Sequence, residues 1–284
     1  ATGALIIVTG RVADPSLFVA PMVHEFGWSA DDFERLGQGT VIGHLLECAG
    51  QLTGGYFADP MSKPVPNMEN LGHPFADISP DGTAVFGKVY GTGGQLSLMT
   101  AKEQLLYEVM DPGRYITPDV IADFTGVRLT EAGPNLIQAT GGTGVRRPET
   151  LKVSVGYDAG YIGEGEISYA GPEAEARAML AGSIIRKRIH HHFEDLRIDF
   201  IGSTAAHRTF FGETAPYEIR LRVAGRTPSR DLAALIGEEV EALYTNGPAG
   251  GGGARKYIHD VVGIVSTTID RLRIKPQLTL LKTS

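Results

Sequence analysis

The chain has 284 residues, a formal net charge of −7 at pH 7 and 42% hydrophobic residues. That is a globular composition with length for one large domain or two modest ones. The mild acidity speaks against a nucleic-acid binder, which carries a basic stripe. A single cysteine, Cys48, excludes an internal disulfide and fits a reducing, cytoplasmic setting.

In chain order, "ALIIVTG" (4–10) reads as a short buried strand. Such a strand seldom opens a chain, and no initiator Met precedes it. A processed chain or a missing N-terminal portion is therefore expected. The loop "TGRVADPS" (9–16) then falls where a parallel α/β sheet places its ligand residues, beyond a strand's carboxyl end. Residues 17–28 read as a helix interrupted by Pro21. Residues 29–55 carry a Ser29 cap, and a second helical stretch begins near Val41. Strands are expected near 84–90, 119–130 and 135–140. A helix over 97–114 would be capped by Thr100 and Glu103 and stopped by Asp-Pro-Gly. The stretch 141–150 reads as a linker. This makes residues 1–145 an incomplete α/β layer region.

Residues 150–284 have clearer periodicity. Leu196, Ile198 and Phe200 alternate with polar residues, as do Tyr217, Ile219, Leu221 and Val223. The expected order is strand 160–169, helix 172–188, strand 195–202, strand 216–226, helix 229–244 and strand 259–269. That is a ferredoxin-like β-α-β-β-α-β region within a mixed α/β (α+β) chain. The basic run "RKRIHHH" (186–192) reads as a solvated helix end. No apolar run approaches the ~18 residues of a membrane helix, so no membrane partner is expected.

The densest chemistry lies in "GHLLECAGQLTGGYFADP" (43–60). On a helix His44, Glu47 and Gln51 form one polar stripe beside Cys48. The stripe is either a solvated face or a cleft wall on which Glu47 acts as general acid or base. Cys48 reads as a core thiol, since no cationic neighbour is visible to lower its pKa. His44 with Glu47 could supply two metal ligands but would need more from elsewhere. Gly54 and Gly55 allow a sharp turn that could bring Asp59 to the same cleft. Arg11 and Asp14 are anion-binding and acid/base candidates, or else partners in a salt bridge. The run "TNGPAGGGGARKY" (245–257) matches neither a dinucleotide fingerprint nor a P-loop. Asn246, Gly250, Gly251, Gly252 and Arg255 could form an anion nest, or the run could be a structural corner. Catalytic roles are thus expected for Glu47, Asp59 and Asp14. Substrate contacts are expected from Arg11, Gln51, Gly54, Gly55 and the 246–255 residues.

Several segments together resemble the acyclic terpene utilisation (AtuA-like) family. They are "VTGRVADPSLFVAPMVHEFGW", "GHLLECAGQLTGGYFADP", "TAKEQLLYEVMDPGRYITPDVIADFTGVRL", "LKVSVGY" and "NGPAGGGGARKY", in the family's order along nearly the whole chain. The resemblance implies a catabolic setting, the breakdown of citronellol and geraniol through coenzyme A thioesters. It also implies that members carry a further N-terminal α/β portion. The expected function is an enzyme or subunit acting on a carboxylic acid or acyl-CoA thioester by hydratase or lyase chemistry. A non-catalytic subunit that binds a partner protein is the alternative. A homo- or hetero-oligomer is expected, and no cofactor motif is evident.

Overall fold

The computed structural model describes residues 3–209, 212 and 214–281. Its mixed α/β chain divides into two compact units, 1–151 with 268–284 and 152–267. In the first, α1 (Ser16–Phe26) tolerates Pro21 and ends on Gly27 in the left-handed region. Next, α2 (Phe33–Glu47) is capped by the Asp32 side chain, which accepts the Arg35 N–H. The expected Ser29 cap and start near Val41 are therefore corrected. Glycines 37, 39 and 43 argue against a helix, at up to about 1 kcal/mol each relative to alanine. Here they admit close neighbours instead. A Cβ on Gly37 would stand 2.1 Å from the Thr143 carbonyl oxygen, and one on Gly43 2.5 Å from that of Pro15. Every residue from Leu36 to Leu46 is buried, so α2 is the central element of this unit.

Around α2 lie β1 (Pro74–Ile78), β2 (Ala84–Lys88), α3 (Leu98–Leu106), β3 (Tyr115–Ile116), β4 (Val120–Asp123), β5 (Arg128–Gly133), β6 (Leu136–Thr140) and β7 (Thr143–Arg146). They make two antiparallel sheets, ordered β1-β2-β6-β5 and β3-β4-β7. The expected single strand 119–130 is two strands in different sheets. The Asp123 carboxylate turns the chain between them by accepting the Thr125 N–H and hydroxyl. The expected linker 141–150 contains β7. Helix α3 stops at Leu106, and its capping box is Ser97 with Thr100 rather than Thr100 with Glu103.

The expected buried strand at 4–10 is overturned. No strand forms there, and Leu5, Ile6, Ile7 and Val8 are each 80% exposed or more. A strand needs a paired edge for its N–H and C=O groups, and no described strand supplies one. The 9–16 loop accordingly does not follow a parallel strand.

The second unit is built on β8 (Thr150–Ala170), α4 (Ala174–Ile189), β9 (Leu196–Ile201), β10 (Glu218–Thr227), α5 (Arg230–Asn246) and β11 (Gly252–Asp270). Their sheet order, β11-β8-β10-β9, is the ferredoxin-like arrangement expected from the periodicity. Strands β8 and β10 pair antiparallel, with Ile167 opposite Leu221 and Tyr169 opposite Ile219. These residues bury against Ala178, Ala181 and Ile185 of α4 and Ile236 and Val240 of α5. Helix α4 starts after Glu173 in the left-handed region, so Pro172 precedes the helix instead of opening it. The basic run ends α4 with Arg186, Lys187, Arg188 and the histidine triplet all exposed. On the opposite sheet face, Asp199 is buried beneath Arg197, Arg208 and Arg222, while Glu164 pairs with Arg222 and Glu166 with Arg220.

Candidate active site

The last turn of α2 carries the polar cluster. His44 is buried, and its Nε2 lies 2.9 Å from the Gln104 carbonyl oxygen. A carbonyl only accepts, so Nε2 holds the proton and Nδ1 presents a bare lone pair. In return, the Gln104 side-chain amide donates to the His44 carbonyl at 3.0 Å, tying α2 to α3. The imidazole packs against both Tyr115 and Phe124, which stack on each other, 5.5 Å from each ring centroid. Burial lowers the His44 pKa below its ordinary value, which keeps the ring neutral. Its Nδ1 has no hydrogen-bond partner and faces Glu47 Oε1 at 3.9 Å, too far for a direct bond.

One turn on, Glu47 is mostly buried. Burial raises its pKa, with Asp14 and Glu108 adding repulsion, although the Cys48 thiol opposes the shift by donating to Oε1 at 3.1 Å. Cys48 is pushed up to about 11, first by burial and then by Glu47, so it remains a thiol near neutral pH. Tyr115 is raised to about 12 by burial and by the charges of Glu47 and Asp14. The three carboxylates Asp14, Glu47 and Glu108 therefore share one field. Asp14 reaches it because the neighbouring Pro15 packs directly on Gly43 of α2. Glu108 reaches it just beyond α3 with φ +57°, a left-handed conformation that non-glycine residues seldom adopt.

Gln51 stands on the short 3-10 turn after α2, and its Nε2 is buried without a partner. So is Gln104 Oε1. With His44 Nδ1, three buried polar atoms on or beside this turn lack partners. Each costs about 1–3 kcal/mol unless water or a ligand satisfies it. An acceptor on α2, a donor on the turn after it and a second acceptor on α3 are thus unsatisfied, and the first of them faces the carboxyl group of raised pKa.

Other expected residues lie elsewhere. Arg11 is exposed and makes no hydrogen bond or ion pair among the described residues, so the Arg11–Asp14 bridge does not form. Asp59 is exposed and caps its own turn. Its carboxylate accepts the Met61 and Ser62 N–H groups, which lower its pKa. Gly54, at φ +112°, serves the preceding turn, where a Cβ would press on Val65 at 2.8 Å, and a Cβ on Gly55 would crowd the Gly50 carbonyl.

The glycine run belongs to the second unit. Asn246 ends α5, Gly250 turns at φ +75°, and Gly252 already begins β11. Arg255 and Lys256 thus lie on a strand, not in the expected loop, and Lys256 pairs with Glu241 at 2.6 Å. Arg177 donates to the carbonyls of Ala249, Ala170 and Pro172 at 2.9, 2.7 and 3.0 Å. The corner therefore engages a cation of its own chain through the Ala249 carbonyl. Among the described residues no three His, Cys, Asp or Glu side chains are placed to hold a metal ion, so His44 and Glu47 gain no further ligand. No helix among those residues is long and apolar enough to cross a membrane.

Three participants, Gln104, Glu108 and Tyr115, were missed in the sequence. Gln104 and Glu108 fall inside one expected helix, and nothing in their spacing signals the stop at Leu106. The family model described as "Acyclic terpene utilisation family protein AtuA" matches residues 1–280. No curated protein and no solved structure matches the chain.

Proposed function

The chain belongs to the acyclic terpene utilisation family, AtuA, and from that premise we propose that it is a catabolic enzyme or enzyme subunit acting on a carboxylic acid or acyl thioester. Glu47 is the proton-transfer group. Its raised pKa brings the acid and base forms closer in energy near neutral pH, which suits removal and return of a proton beside a carbonyl. Gln51 Nε2 donates to the developing oxyanion, and burial, helped by Asp14 and Glu108, keeps the Glu47 pKa high. His44 stays neutral and fixes the turn through Gln104. Arg11, exposed three residues before Asp14 in the chain, takes the distal carboxylate or phosphate. Proton removal of this kind serves hydration and elimination, the hydratase/lyase class.

The observation that carries the reading is a carboxyl group of raised pKa 3.9 Å from the unpartnered His44 Nδ1, on a helix end where Gln51 and Gln104 also hold unpartnered buried polar atoms. Incubating the protein with branched acyl thioesters and their free acids in D2O tests it. Deuterium should enter the position next to the carbonyl, and Glu47→Gln should slow that entry at least about 100-fold. Equal exchange in both proteins would remove Glu47 from the chemistry.

A second reading, a non-catalytic subunit, draws on the exposed run Leu5–Val8, which suits burial against a partner protein. It predicts that Glu47→Gln preserves growth on acyclic terpenes while Ile6→Asp abolishes it.

A further inference from the structure

Strand β11 is the terminal strand of its sheet, and its outer edge is unpaired among the described residues. Natural edges are usually blunted by lysine, proline or a bulge. From Tyr257 to Ile269 this strand has no Lys, Arg or Pro, and at its middle it reads Val261-Val262-Gly263-Ile264-Val265. Val262 and Ile264 are 71% and 70% exposed and Val265 is 54% exposed. An edge this long and apolar favours pairing with another strand.

The sequence of the strand indicates which strand that is. Two identical strands related by a two-fold axis pair antiparallel, and each residue then lies opposite one on the same face. With the axis at Gly263, Val262 lies opposite Ile264 and Val261 opposite Val265. Tyr257 lies opposite Ile269, Asp260 opposite Ser266 and Lys256 opposite Asp270. Lys256, which also pairs with Glu241, thus meets Asp270 at both ends, and within 256–270 no like charges face each other; the one like pair, Arg255 with Arg271, falls where the strand ends. Moving the axis to Val262 sets Asp260 against Ile264, and moving it to Ile264 sets Ile258 against Asp270. Each shift buries a carboxylate against an isoleucine, so one register stands out.

The glycine at the centre has its own reason. The ring of Tyr157, on the neighbouring β8, covers Gly263 so closely that a Cβ would stand 2.3 Å from it. The centre of the register is therefore narrow on that face, where strand backbones meet with no side chain to displace.

We propose that two copies of this chain join through β11, antiparallel about Gly263, so that two four-stranded sheets continue edge to edge. Analytical ultracentrifugation of the full chain tests this. The native protein should sediment as a dimer, and Ile264→Lys should sediment as a monomer with an unchanged circular dichroism spectrum. The charge register is tested separately. Asp270→Lys should weaken the dimer at least about tenfold, and Lys256→Asp combined with Asp270→Lys should restore most of that loss. A monomeric native protein would overturn the proposal, as would a dimer that survives Ile264→Lys. A double charge variant that stays as weak as the single one would overturn the register.

Discussion

Glu47 carries two opposed consequences of burial, one for stability and one for chemistry. Its pKa in the folded protein is raised above the unfolded value, so between those two values the native state binds the extra proton. Above the folded value the ionised carboxylate costs stability. Glu47→Gln should therefore raise the melting temperature at pH 8, and the gain should shrink as pH falls through the raised folded value and be gone below the unfolded value near 4.5. Melting curves across pH check this, and an acid-side gain would reverse the sign. A mutation that stabilises while it abolishes turnover marks a functional residue rather than a structural one. His44 runs the other way. Its folded pKa is lowered, so the unfolded chain binds its proton first. Stability should start to fall as pH drops below about 6.5, and His44→Gln should flatten that limb. The stripe His44, Glu47 and Gln51 was legible at residue scale because helical spacing fixes which side chains are neighbours. Glu108 was not, because a glutamate at positive φ leaves no pattern in sequence. Nor could the sequence tell that Asp59 would spend its carboxylate on its own turn.

At the scale of elements, α2 shows why glycine misleads. Gly37, Gly39 and Gly43 have low helix propensity, yet each is a contact surface for a neighbour that needs the space. Gly43→Ala should cost about 1–3 kcal/mol by overpacking against Pro15, and should also displace Asp14 from the carboxylate cluster. Denaturant unfolding gives the first quantity. The second appears as a Glu47 titration shifted back toward 4.5. The ferredoxin-like elements were readable because strict alternation and amphipathic helices leave a period in the sequence. The short strands β3 and β7 were not, because four residues or fewer hold too little period to count, and the expected strand 119–130 covered β4 without showing its end at Asp123. Residues 4–10 failed for another reason. Apolar composition makes a strand possible, but only a paired edge makes one form.

On the scale of the whole molecule, the two units keep separate cores, one around Val41, Ile42 and Leu45 and one around Ile167, Leu221 and Ile236. Calorimetry should therefore assign mutations to different parts of the unfolding curve. Asp199→Ala strips a buried carboxylate from three arginines and should cost about 2 kcal/mol or more. It should lower the transition of the second unit, while Gly43→Ala lowers that of the first. A single transition shifted equally by both would mean that the units unfold as one. Function makes a sharper demand, because family membership points to the pathway and the proposed reaction rests on the cluster on α2. The decisive measurement is deuterium entry beside the carbonyl of a branched acyl thioester, compared between the native protein and a folded Glu47→Gln variant. The account predicts exchange in the native protein and a loss of about 100-fold or more in the variant. Exchange at the same rate in both would contradict it.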